Sequence, residues 1–99
     1  MKPLSAAAKI AVAKAIDLVS TELDAFDALE FDTSAAGWEA RKNAEVEMSK
    51  RLGVELRMSI EDRWDGGRVR YSGIYATSTS GVTNALRNWL TAARKRLAE

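Results

Sequence analysis

Val12, Ile16, Val19, Leu23 and Phe26 recur at the i, i+4, i+7, i+11, i+14 spacing of one buried helical stripe. Ala, Leu, Lys and Glu dominate this stretch, and Pro3 stands where the start of a helix tolerates proline. The pattern predicts a first helix over residues 4–28. It stops between Asp27 and Glu30, because Glu30 would fall back onto the apolar stripe. Asp32, Thr33 or Ser34 can then accept from the free amides of a following helix. That second helix is expected over residues 35–52, with Trp38, Ala44, Met48 and Leu52 on a narrower apolar side. Lys50 and Arg51 suit its negative terminus, and Gly53 stands where a left-handed cap belongs.

From residue 54 the period changes to two. Val54, Leu56, Met58 and Ile60 alternate with Glu55, Arg57, Ser59 and Glu61, the signature of a half-buried strand over 54–64. Asp65-Gly66-Gly67 signals a hairpin turn. A return strand over 68–78 carries Val69, Tyr71, Tyr75 and Thr77 on one parity. An even-length loop then pairs Trp64 with Val69, Asp62 with Tyr71 and Met58 with Tyr75, and sets Arg63 across from Arg70. Trp64, Tyr71, Tyr75 and Trp89 all fall on apolar positions, so they are expected in the core. After Ser78-Thr79-Ser80-Gly81, a turn and cap cluster, Val82, Leu86, Trp89, Leu90, Ala93 and Leu97 predict a third helix over 81–98. The expected architecture is a single α+β domain over 1–99, in the order α-α-β-β-α. A lone hairpin is marginal in water, so helices must cover it. A hairpin edge that paired with a second copy would instead give a homodimer.

Composition narrows the chemistry. The 99 residues include no Cys and no His, which excludes disulfides, thiolate or imidazole zinc sites, Cys nucleophiles and His-based triads. No phosphate-binding Gly-rich loop and no G-x-S-x-G elbow occurs. Glu61 and Asp62 are adjacent on a strand and point to opposite faces, so they cannot converge as an acid/base pair. Asp62 shares the apolar parity and is expected near the Tyr71 hydroxyl. No catalytic residue, metal or cofactor is expected, and the chain is expected to be non-enzymatic. Lys9, Lys14 and Asp17 interrupt the only run that resembles a signal sequence, which makes the cytoplasm the expected location.

Charge changes the picture most. Residues 1–49 hold five Lys/Arg and nine Asp/Glu, whereas residues 50–99 hold ten and five, so a net charge of +1 conceals two halves of opposite sign. Seven acidic residues and no basic one lie between Ala15 and Ala40. Asp17, Asp24 and Asp27 flank the first stripe, and Asp24, Asp27 and Glu30 crowd a helix C-terminus, where negative charge opposes the dipole. Arg57, Arg63, Arg68 and Arg70 are expected on the outward face of the hairpin. A second basic cluster, Arg87, Arg94, Lys95 and Arg96, has a routine explanation at a helix C-terminus.

A hairpin followed by a capped helix resembles the second half of a double-stranded-RNA-binding domain. The likeness covers barely half the chain and lacks that family's basic residues at the start of the last helix, where Ser80-Gly81-Val82-Thr83 stands. In size, in the absence of a catalytic constellation and in its two-signed surface, the chain is similar to small accessory proteins of bacteriophages and mobile elements. Anti-CRISPR inhibitors are among these. Two functions are therefore expected in competition. One is a protein-binding module that blocks a larger protein or nucleoprotein complex, such as one that handles nucleic acid, through Asp17, Asp24, Asp27 and Glu30 or through the hairpin arginines. The other is direct nucleic-acid binding by Arg57, Arg63, Arg68 and Arg70.

Overall fold

Ser5 starts the first helix: its hydroxyl oxygen accepts the Ala8 amide at 3.1 Å. In the computed structural model, which describes residues 3–99, α1 spans Ala6–Asp27 and buries Val12, Ala15, Val19, Leu23 and Phe26. The stop after Asp27 agrees with the pattern. α2 spans Ala35–Leu56, and Ser34 caps it by accepting the Gly37 amide at 3.1 Å. The Asp32 carboxylate braces this cap, accepting from the Ser34 amide at 2.9 Å and from the Ser34 hydroxyl.

The far end of α2 departs from expectation. The helix runs through Gly53 to Leu56, and Arg57 (φ 55°, ψ 34°) takes the left-handed cap position. The reason is spacing: Met48, Leu52 and Leu56 form a continuous buried i, i+4, i+8 stripe, and Val54 is left in solvent. The two-residue period that suggested a strand from 54 was the overlap of that stripe with buried Met58. Trp38, expected on the apolar side of α2, is 71% exposed.

Three strands follow, not two: β1 (Ser59–Arg63), β2 (Gly66–Tyr71) and β3 (Ile74–Ser78), antiparallel in the order β1-β2-β3. The order is therefore α-α-β-β-β-α, and the class is α+β. Trp64-Asp65 forms the first turn. Ser72-Gly73 forms the second, both residues with positive φ (52° and 77°), as a tight two-residue hairpin turn requires. Tyr71 therefore faces Ile74 across the second turn, and parity reverses beyond it. Ile74 and Ala76 turn inward, and Tyr75 turns out, 52% exposed. The first hairpin keeps its expected parity but slides in register, so that Ile60 meets Val69, Glu61 meets Arg68 and Arg63 meets Gly66. Arg63 does not face Arg70, Asp62 faces Gly67 in place of Tyr71, and Trp64 leaves the core altogether.

α3 spans Val82–Leu97 and covers the inner face of β2 and β3. Gly67 permits this approach, since a Cβ there would lie 2.6 Å from both Val82 N and Val82 Cα. Trp89 is fully buried; its indole N–H donates to the Ile74 carbonyl at 3.2 Å, and its ring meets Tyr71 edge-on at 6.0 Å. α1 packs on α3 and α2, and α2 reaches β1. Among the described residues, no helix is long and apolar enough to cross a membrane.

Candidate functional site

All the helical packing on the sheet lies on its inner side, where Val69, Ile74 and Ala76 are buried. The strand register arranges the opposite face in rows. Ser59, Arg70 and Tyr75 form one, Glu61, Arg68 and Thr77 the next, and Arg63 with Gly66 a third. The Arg70 guanidinium lies 5.8 Å from the centre of the Tyr75 ring. Arg63 reaches Glu61 at 3.5 Å and Asp65 at 3.9 Å, and Arg68 reaches Asp65 at 3.5 Å. Opposite charges thus face one another across the strands, which removes the like-charge conflict that the expected register implied. These solvent-exposed pairs are weak, on the order of 0 to 1 kcal/mol each, so a partner's carboxylates can replace them. A shallow hollow of about 210 Å³ lies between Ser59, Glu61, Arg63, Arg68, Arg70 and Tyr75. At the tip of the β1–β2 turn stands Trp64, 95% exposed.

Of the four expected arginines, Arg63, Arg68 and Arg70 share this face. Arg57 does not, because it caps α2. The acidic candidates fare differently. Asp27 receives two hydrogen bonds from Arg87, at 3.0 and 2.6 Å, and Glu22 receives two from Arg51, at 2.7 and 2.8 Å. The Arg87 bonds hold the Asp27 carboxyl below its ordinary range, and the same contacts raise Arg87 and Arg51. Asp17, Asp24 and Glu30 remain exposed on or just beyond α1. The negative helix is therefore fastened to α2 and α3, and the guanidinium row of the sheet is left uncovered.

Against known proteins, the chain matches no family model, no curated protein and no solved structure.

Some of the other charges link elements of the fold. Lys42 donates to Asp62 at 2.6 Å, which raises the Lys42 pKa and ties α2 to β1. Arg94 donates to the Ser20 hydroxyl at 3.1 Å, so part of the C-terminal basic cluster faces α1. On the β3 edge, Asn88 donates to the Thr77 carbonyl at 2.9 Å. Among the described residues, no three acidic side chains gather where they could hold a metal ion. Sequence reasoning missed Tyr75 and Trp64 as surface residues. Ser72-Gly73 was the available signal for Tyr75, because a two-residue turn there reverses which residues face out.

Proposed function

We propose that this chain is a non-enzymatic protein-binding module that docks the outer face of its sheet onto an acidic surface of a larger protein. One observation carries the reading: Arg63, Arg68, Arg70 and Tyr75 lie together on a sheet face that no helix covers, with exposed Trp64 at the adjoining β1–β2 turn. Arg, Tyr and Trp are the residue types that dominate binding hot spots. Trp64 and Tyr75 supply apolar anchors, and the arginines supply forked donors for carboxylates. By occupying such a surface the module blocks other users of it, the mode of action of a small inhibitor.

Direct nucleic-acid binding is the weaker alternative. Glu61 and Asp65 alternate with the arginines, a mixed-sign pattern that suits discrete side-chain charges of a protein better than a continuous phosphate backbone. Docking by the acidic helix is a further alternative through exposed Asp17, Asp24 and Glu30, with Asp27 already held by Arg87.

The test compares immobilised wild-type chain with the variant Arg63→Glu, Arg68→Glu, Arg70→Glu in lysate of the producing cells. A protein retained by the wild type, lost by the triple variant and kept by Asp17→Lys, Asp24→Lys supports the reading. Salt-titrated binding to random DNA and RNA is the companion measurement. Tight binding at low salt that falls steeply as salt rises would move the assignment to nucleic acid.

A further inference from the structure

A second hollow, of about 330 Å³, opens between the N-terminal half of α2 and the start of α3. Its charged groups are mostly engaged. Glu45 accepts from the Thr83 amide and hydroxyl and pairs with Lys42, Lys42 also binds Asp62, and Arg87 is held at both nitrogens by Asp27. Arg41 differs. Its guanidinium lies 5.7 Å from the centre of the Phe26 ring and acts on Asp27 through charge alone, and it forms no ion pair among the described residues. The ring attracts the guanidinium without using its in-plane donors. Trp38, one turn earlier on α2, is 71% exposed. It walls this hollow and also a neighbouring one of about 330 Å³ beside Phe31.

The complementarity is one-sided. Asp27 and Glu45 are already bound by cations or amide and hydroxyl donors, so an incoming cation finds no free carboxylate. An incoming carboxylate finds the in-plane donors of Arg41, whereas Lys42 and Arg87 are already neutralised by Asp62, Glu45 and Asp27. Trp38 offers an apolar wall at the same place, in a space at the small end of ligand pockets.

We infer that the Trp38–Arg41 cleft is a second docking site, which takes an acidic side chain next to an apolar one from a peptide segment of a partner protein. The carboxylate pairs with Arg41, and the apolar side chain lies on the Trp38 indole. This site does not depend on the outer face of the sheet, and the two can be tested apart.

The experiment uses the full chain carrying Trp64→Phe, in which Trp38 is the exposed indole and Trp89 the buried one. Its tryptophan emission is titrated with an acetylated, amidated peptide of alternating Glu and Leu, and with the matching Lys–Leu peptide. The expected result is a saturable change with the Glu–Leu peptide only. Affinity should fall by about tenfold or more in Arg41→Gln and stay unchanged in Arg63→Glu, Arg68→Glu, Arg70→Glu. A response without saturation, an equal response to the Lys–Leu peptide, or undiminished affinity in Arg41→Gln would overturn the site. Loss of the response in the triple variant alone would reassign the peptide to the sheet.

Discussion

Glu45 on α2 caps α3: its Oε2 accepts from the Thr83 amide at 3.2 Å and from the Thr83 hydroxyl at 2.6 Å. The N-cap residue of α3 itself, Gly81, has no side chain to offer. A carboxylate from a helix 38 residues earlier satisfies the free amide and complements the positive helix terminus. Glu45 also pairs with Lys42, which continues to Asp62 on β1. This chain of contacts joins the two-helix N-terminal half to the sheet and α3.

Glu45→Ala is therefore expected to destabilise the fold by about 0.5 to 2 kcal/mol, the range for loss of a helix cap. Urea unfolding followed by circular dichroism measures it. Thr83→Val should lose less, because its amide still donates to Glu45, and the double variant should lose less than the sum, because the hydroxyl–carboxylate bond is common to both changes. Full additivity would show that the two residues do not act together.

Gly67→Ala should cost more than Gly73→Ala. A methyl at 67 would enter the backbone of Val82, whereas nothing lies within 4 Å of one at 73. Overpacking of the first kind costs about 1 to 3 kcal/mol, with the α3–β2 contact forced apart. At 73 only the left-handed backbone is penalised, at about 1 to 2 kcal/mol. Thermal unfolding of the two variants gives the order directly.

Acid should weaken the fold through Asp27 and Asp32. Arg87 lowers the first and Ser34 the second from an ordinary value of 3.8. A depressed folded-state pKa contributes stability that is present above the unfolded value and lost as pH falls through the folded one. The urea midpoint should thus drop as pH is taken from about 5 to about 2, and Asp27→Asn should flatten that drop. An unchanged slope in Asp27→Asn would separate the Arg87 contact from acid stability.

Iodide quenching distinguishes the observed fold from the buried-aromatic arrangement expected of the sequence. Trp64 and Trp38 should be quenched and Trp89 should not, in keeping with exposures of 95%, 71% and 0%. Trp64→Phe should remove a large quenchable fraction and leave stability nearly unchanged. Trp89→Ala should cost about 3 to 5 kcal/mol, enough to threaten the fold of so small a domain.

The sequence made α1 and α3 legible because their buried positions follow a single helical period over several turns: Val12, Val19, Leu23 and Phe26 in one, Val82, Leu86, Trp89 and Ala93 in the other. The residues between Leu52 and Met58 were ambiguous. There an i, i+4 stripe and a two-residue alternation share Leu56, and only the tertiary contacts of Leu52 and Leu56 decide between them. The split of the return strand turned on Ser72-Gly73, whose conformation alone exposes Tyr75. The charge partners Arg51 and Arg87 lie 29 and 60 residues from Glu22 and Asp27. Pairing at such range depends on how the helices cross, which no local pattern encodes.

Site-specific photo-crosslinking tests the central claim most directly. A photoreactive phenylalanine analogue at position 75, on the open face, is compared with one at position 55, on exposed α2, inside the producing cells. The account predicts a discrete protein adduct from position 75 that disappears when Arg68 and Arg70 are both changed to Glu, and no such adduct from position 55. Crosslinks from position 75 that persist in the charge-reversed chain would contradict it.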